Sequence, residues 1–420
     1  MTPSTPKRVR GRRRTLGAAL VAALAAAVLA LGAVASQAKS GASAATPAQV
    51  QATINQAFAA TVPASSLPPV VTEALTRAAD PVTPAQLAKA FECWKAGSCT
   101  VGSGKITLGI ADGFGDNTWR KFTLMEIILQ ALTYPDVGKI IYTNAHGVLA
   151  TMQSNIRSLT AQGAKVIVGY NDFGPAAASA FAAAQKAGAV TSTYVGPTRP
   201  IPGISPSAIG IAVGPDICQA GVTMAGATVK AVGSKADVAF FTGVAGNPQD
   251  AAWQKCAEQT FAAKYPGIKV VFRADTSWTP AGVFQASSAL LSSGKEAKAI
   301  LYSYSNPVPQ IIKAYNAAGK PVPAIITWTQ DNGTSCQWKK AKDAGKGFAL
   351  YQTNGLNWPA RVSVTASLDK LAGKAVPATI IYPQPYIAAK PTDCVPSLPV
   401  DYPGSSSLIP RSLIKKMLAG

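Results

Sequence analysis

Aromatic and amide side chains follow the predicted β-strands between Lys105 and Trp328, at the points where those strands end. An aromatic ring covers an apolar face of a ligand, and an amide or carboxylate hydrogen-bonds a hydroxyl edge. Such a set suits the binding of a polar small molecule. Its members are Phe114, Asn117, Trp119, Asn171, Asp172, Tyr194, Trp278, Tyr304, Trp328 and Gln330.

Groups that would perform covalent chemistry are scarce. The chain has a single histidine, His146, and no Gly-x-Ser-x-Gly nucleophile motif. The glycine-rich run GVAGNP lacks the Lys-Ser/Thr of a phosphate-binding loop. Cys-x-x-Cys is absent as well, so we expect neither a metal nor a cofactor. A hydrolase remains the alternative, because Asp112, Asp116 and Asp172 could converge as catalytic carboxylates.

The elements that must position these side chains alternate strictly. Short apolar runs, among them KITLGIA, AKVIVGY, KADVAFFTG and AKAILYSY, are separated by alanine-rich segments of helical length. This pattern predicts βαβ units with parallel sheets, and ligand contacts at the carboxyl ends of the strands. The series restarts after IGIAVGPD, which we read as a short edge strand. We therefore predict an α/β fold of two Rossmann-like lobes.

The first 38 residues have the layout of a secretory signal peptide. Six basic residues lie between Lys7 and Arg14, and an apolar run from Leu16 to Ala35 follows. A retained membrane anchor is the alternative, since the length of this run is close to the roughly 20 residues that span a bilayer. Arg13-Arg14 loosely resembles a twin-arginine export signal. We expect an exported protein that is periplasmic, extracellular or associated with the cell envelope.

Charge and cysteine content fit export. The formal charge is +20, but the lysines and arginines beyond the leader are scattered, so we do not expect nucleic-acid binding. Six cysteines in an exported chain indicate disulfides. Cys93 and Cys99 look like a local pair, and Cys218 and Cys256 could meet if their helices are neighbours. Cys336 and Cys394 remain and would hold the C-terminal tail, although the sequence leaves the connectivity open.

Segments outside the lobes are also assigned. Residues 39–104 are rich in Ala, Pro, Ser and Thr, and we expect a partly disordered extension with one short helix capped by Thr83. Residues 401–420 are expected to form a C-terminal tail.

Five ordered motifs resemble the type 1 periplasmic sugar-binding proteins of ABC transporters, of the ribose-binding kind. They are GIADGFGDNTWRK, NIRSLTAQGAKVIVGYNDFGPAA, VGPDICQAGVTMA, FFTGVAGNPQDAAWQKCAEQTFAAKYPGIKVV and AILYSYSNPVPQIIKAYNAAGKP. Each is weak alone, but their order strengthens the likeness, which covers most of residues 105–390.

The resemblance implies two lobes joined by a three-segment hinge, with the ligand in the cleft. Lobe 1 would comprise 105–213 plus 355–385, and lobe 2 would comprise 214–354 plus 386–400. It adds Thr329 and Asn354 to the binding residues. The family's Asp-Arg pair after the fourth strand is here Tyr194-Val195, so the identity of the ligand stays open.

The sequence thus predicts a non-enzymatic, monomeric binding protein that delivers a sugar-like or polyol ligand to a membrane permease. The alternatives are a secreted carbohydrate-active hydrolase and a sensory receptor domain for a non-sugar ligand.

Overall fold

A computed structural model describes residues 44–196, 198, 206–404 and 406–419. The predicted signal peptide, residues 1–38, lies outside these residues. Within the described part of the chain, no helix is both long and apolar enough to cross a membrane.

The first sheet has seven strands in the order β1-β3-β2-β4-β5-β6-β12, and all pairs are parallel except β1 with β3. Its strands are β1 (Ser98–Thr100), β2 (Ile106–Asp112), β3 (Val137–Asn144), β4 (Val166–Tyr170), β5 (Val190–Tyr194), β6 (Ile211–Pro215) and β12 (Thr379–Tyr382). The prediction that IGIAVGPD forms an edge strand is wrong. β6 is an interior strand, because β12 returns late in the chain and pairs with its outer side.

The second sheet has six strands in the order β13-β11-β10-β9-β7-β8, with β13 antiparallel to β11. Its strands are β7 (Lys235–Thr242), β8 (Gly267–Asp275), β9 (Ala299–Tyr302), β10 (Ala324–Thr327), β11 (Leu350–Gln352) and β13 (Ile387–Ala388). Two α/β lobes with mostly parallel sheets confirm the predicted fold class.

Helices separate most of the parallel strands, as βαβ units require. Those that follow the first sheet's strands or pack on it are α4 (Thr118–Ala131), α5 (Leu149–Ala161), α6 (Pro175–Lys186) and α12 (Pro359–Leu371). Those of the second lobe are α7 (Ile217–Val232), α8 (Pro248–Lys264), α9 (Pro280–Ser292), α10 (Val308–Ala317) and α11 (Asn332–Asp343). A last helix, α13 (Arg411–Ala419), buries Leu413, Ile414 and Met417.

The N-terminal extension is more ordered than the sequence suggests. Its described part forms three helices, α1 (Pro47–Phe58), α2 (Pro69–Ala79) and α3 (Pro84–Ala96), rather than one. Each begins with a proline at its first position, where a missing N–H costs nothing. Thr83 caps α3 as predicted, since its hydroxyl accepts the amide of Gln86. The helices pack into the core of lobe 1, which accounts for the near-complete burial of α4 and α12.

Three segments carry the chain between the sheets, namely β6 to α7, β11 to α12, and β12 to β13. A fourth connection follows Cys394. Residues 395–404 and 406–409, the C-terminal strap, bind α11 of lobe 2 at one end and α4 of lobe 1 at the other. Asn332 Nδ2 donates to the carbonyls of Val395, Leu398 and Pro399, and Glu126 Oε1 accepts the amide of Leu408 at 2.9 Å.

The disulfides join Cys93 to Cys99, Cys218 to Cys256, and Cys336 to Cys394. The second joins α7 to α8, and the third fastens the start of the strap to α11. These are the pairings that the sequence favours.

Candidate functional site

A cavity of about 200 Å³ lies between the lobes, at the carboxyl ends of strands from both sheets. Three loops and the strap build it: the loop that leads from β2 into α4, the loop after β9, and the loop after β10. Its lining residues are Asp116, Asn117, Thr118, Trp119, Tyr304, Ser305, Asn306, Thr329, Gln330, Asp331, Asp401 and Pro403. Rings, amides, hydroxyls and carboxylates therefore meet in one interlobe space.

Five predicted ligand residues line this cavity: Asn117, Trp119, Tyr304, Thr329 and Gln330. Asn117 also caps α4, because its Oδ1 accepts the amide of Arg120 at 2.9 Å. The indole of Trp119 donates to the carbonyl of Gly355 at 2.7 Å, which fixes the ring against a crossing segment. The Thr329 hydroxyl lies 2.7 Å from that of Ser305, so the two lobe-2 loops hold each other.

Tyr194 lies behind the cavity rather than in its lining. Its ring centroid is 6.3 Å from that of Trp119 and 5.4 Å from that of Tyr170, and its side chain is buried. The three rings form a rigid layer under the lobe-1 wall. Burial raises the pKa of Tyr170 to about 12 and that of Tyr194 well above its usual value, so both stay protonated at neutral pH.

Arg120, which the sequence analysis did not single out, packs against this layer. Its guanidinium bonds Asp112 Oδ1 and Asp172 Oδ1, each at 2.6 Å, and lies 3.5 Å above the Tyr170 ring. Its side chain is only 6% exposed. The sequence offers no sign of these pairs, because the aspartates end different strands and meet Arg120 only in the folded sheet.

The ion pairs occupy two of the three carboxylates considered for a hydrolase, those of Asp112 and Asp172. Burial raises the pKa of Asp112 and of Asp172, and the charge of Arg120 opposes that shift. Burial also disfavours the charged form of Arg120, but the two carboxylates outweigh it and raise the pKa of the guanidinium above its usual value. Asp172 does not cap α6, which begins after Gly174 without a side-chain cap.

Asp116 lines the exposed edge of the cavity from the loop that leads from β2 into α4. Its Oδ1 lies 2.9 Å from Nδ1 of His146, and both side chains are exposed. The only histidine is thus a partner of a rim carboxylate.

Two predicted tryptophans of lobe 2 lie outside the lining. Trp278 donates its indole N–H to the Ser303 hydroxyl at 3.0 Å, and its ring covers Gly243 so closely that a Cβ there would lie 1.8 Å from it. Trp328 is buried, and its indole nitrogen has no hydrogen-bond partner among the described residues. Both rings support the loops that carry the lining residues.

Three further predicted residues lie outside the cavity lining. Asn171 forms a turn by accepting the amide of Phe173 at 3.2 Å. Phe114 is 43% exposed. Asn354 is fully buried, and its Oδ1 accepts the amide of Leu356 at 2.9 Å. The structure does not place these side chains in the lining.

The sequence analysis missed several lining residues: Thr118, Ser305, Asn306, Asp331, Asp401 and Pro403. Thr118, Ser305 and Asp331 directly neighbour a predicted residue and Asn306 lies two positions from one, so a wider window at each strand end would have found these four. Asp401 and Pro403 belong to the strap, and nothing in the sequence links them to the cleft. Among the described residues, no group of three potential metal ligands is found.

The comparisons with known proteins agree with this fold. The family model described as "Periplasmic binding protein domain" matches residues 110–374. The chain belongs to this family. Its structural neighbours are type 1 periplasmic sugar-binding proteins of ABC transporters, which confirms the resemblance carried by the sequence motifs.

Three solved structures illustrate the likeness. An ABC transporter solute binding protein from Bacillus halodurans C-125 with bound myo-inositol is 16% identical, with a TM-score of 0.59 over 69% of this chain and 96% of its own. One from Burkholderia graminis C4D1M in complex with D-arabinose is 18% identical, with a TM-score of 0.57 over 68% and 96%. One from Thermobispora bispora DSM 43833 is 20% identical, with a TM-score of 0.57 over 75% and 95%. These likenesses show the shared fold, and no curated protein matches the chain in sequence.

Proposed function

We propose that this protein is an exported solute-binding protein that holds a small polyhydroxylated ligand in the interlobe cavity and delivers it to an ABC permease. The observation that carries the proposal is the composition of the cavity wall. Asn117, Asn306 and Gln330 offer amides at its edges, while Trp119 and Tyr304 offer rings. A polyol needs both, because its hydroxyls require hydrogen bonds and its C–H faces require apolar contact.

The two-lobed arrangement suits capture and release. The cavity is assembled from loops of both lobes, so rotation of one lobe relative to the other would open it. Ligand that contacts both walls then favours the closed form by its differential affinity for that form. A permease that recognises the closed form would receive loaded protein selectively.

Calorimetric titration of the chain without its leader tests the proposal. The panel comprises neutral sugars and polyols: D-ribose, D-arabinose, D-glucose, D-galactose, D-allose and myo-inositol. We expect one or more members to bind with one site per chain and to be recovered unchanged by mass spectrometry. Product formation, or absence of binding by every neutral or charged sugar and polyol tested, would refute the proposal.

A pair of variants tests the cavity assignment. Tyr304→Ala removes a ring from the lining and should weaken binding about two- to tenfold, since an aromatic contact contributes roughly 0.5–1.5 kcal/mol. Tyr265→Ala removes the same kind of ring at the end of α8, outside the lining, and serves as the matched control. Equal affinity of the two variants would contradict the assignment.

A further inference from the structure

The C-terminal strap supplies part of the ligand cavity. Asp401 and Pro403 line the cavity, although they lie beyond residue 374, where the family match ends. The Thr118 hydroxyl, at the start of α4, donates to Asp401 Oδ2 and holds the carboxylate at the cavity. Gly404 has φ +85°, and a Cβ there would lie 2.6 Å from the Gln330 side chain. The strap is therefore packed closely against the lobe-2 wall.

The cavity wall is acidic in a basic protein. Asp116, Asp331 and Asp401 all line it, and no lysine or arginine does, whereas the whole chain carries a formal charge of +20. The guanidinium of Arg120 bonds Asp112 and Asp172 instead, and it is not in the lining. The wall thus brings three carboxyl groups, and no basic side chain, to the place where a ligand would lie.

Asp331 gives an independent indication of what that ligand carries. Its side chain is buried, and Oδ1 accepts the amide of Thr334 at 2.8 Å as the cap of α11. Oδ2 is buried and accepts no hydrogen bond of ordinary geometry from any described residue. Burial raises the pKa of the Asp331 carboxyl, and the Ser305 hydroxyl and the Thr334 amide oppose that shift. The charged form of a buried carboxyl beside a cavity is unfavourable when no basic side chain lies in the lining, and a cationic ligand would stabilise that form.

We propose that the ligand is a polyol bearing an ammonium group, such as an amino sugar or aminocyclitol, and that Asp401 of the strap is a specificity-determining residue for it. This inference rests on the proposed function of the same cavity. The amides and rings would bind the hydroxyls and the carbon skeleton, and the carboxylates would bind the ammonium. Hydrogen bonds between charged partners are stronger than neutral ones, so they favour an amine over its hydroxyl counterpart. Anionic sugars are disfavoured by like charge.

Calorimetry with matched probes tests the inference. Each neutral probe is paired with an amine of the same skeleton: D-glucose with D-glucosamine, D-galactose with D-galactosamine, and myo-inositol with its monoamino derivative. In pairs that bind, we expect the amine to bind at least about tenfold more tightly at low salt and to lose part of that advantage at high salt. If a neutral probe binds as tightly as its amine, the inference fails and the proposed function stands. If no probe of either kind binds, both fail.

The role of the strap is tested with Asp401→Asn. This variant should reduce the preference for the amine about tenfold, because it removes one charge from the wall while keeping the shape of the side chain. Asp343→Asn, an exposed site at the far end of α11, makes the same charge change away from the cavity and should keep the full preference. A preference unchanged in Asp401→Asn would overturn the assignment of Asp401.

Discussion

Arg120 is the residue whose surroundings most constrain the lobe-1 wall. Its guanidinium holds Asp112 and Asp172, which end β2 and follow β4, and it lies over the Tyr170 ring. The ends of two neighbouring strands are thereby fixed beneath the loop that carries Asn117 and Trp119. A single buried cation sets the geometry of this wall.

Substitution of Arg120 should therefore cost stability. In Arg120→Met the carboxylates of Asp112 and Asp172 lose their partner, and we expect the free energy of unfolding to fall by about 3–5 kcal/mol. Urea denaturation followed by fluorescence measures it. Arg273→Met is the control, since Arg273 pairs with Glu258 at an exposed site and should cost less than about 1 kcal/mol. Similar costs for both variants would mean that the Arg120 pairs contribute no more than a surface ion pair.

For individual residues, the sequence predicts which loops build the cavity but not which side chains point into it. Asn117, Trp119, Tyr304, Thr329 and Gln330 were found because they end strands or lie in the loops that follow. The same rule also selects side chains that turn away, because a strand end does not reveal where a side chain points. Trp278 meets this rule, yet it packs over Gly243.

Among the elements, the N-terminal helices differ most from expectation. Prolines and alanines suggested a loosely ordered segment, and proline breaks helices in their interior. Here the prolines start helices instead. Phe58, at the end of α1, is fully buried, and its ring centroid lies 4.7 Å from that of Trp358. The two residues are far apart in the sequence. Local composition cannot show such a distant partner.

The contribution of α1 to the core can be measured at Phe58. Phe58→Ala leaves a cavity against Trp358 and Tyr382, and we expect it to lower the free energy of unfolding by about 3–5 kcal/mol. Denaturant titration gives the value. Phe114→Ala makes the same change at an exposed ring, where we expect about 0.5 kcal/mol or less. A small effect at Phe58 would show that the extension is dispensable for the core.

Across the whole molecule, strand–helix alternation was sufficient to predict two parallel-sheet lobes, because parallel strands require crossover helices. The strap could not be predicted in the same way. Its attachment depends on Asn332 donating to the backbone carbonyls of Val395, Leu398 and Pro399. Every residue has such a carbonyl, so residue types alone do not identify the acceptors. The fourth connection between the lobes is therefore a structural finding.

The disulfides should differ in their effect on global stability. The Cys336–Cys394 bond closes a separation of 58 residues, whereas Cys93–Cys99 closes one of 6. If restriction of the unfolded chain dominates, replacing the former pair by alanines costs about 4 kcal/mol and the latter about 2 kcal/mol. Chemical denaturation of the two double variants under oxidising conditions compares them. The reverse order would contradict this entropic account.

The strap also means that one wall of the cavity comes from a segment that follows the strands of both sheets in the chain. If the cavity binds ligand as proposed, substitutions around Asp401 would change ligand choice while both lobes keep their sequences. Under that proposal the residues that select the ligand are partly separate from those that build the lobes, and exchanging the strap would give new specificities on the same scaffold.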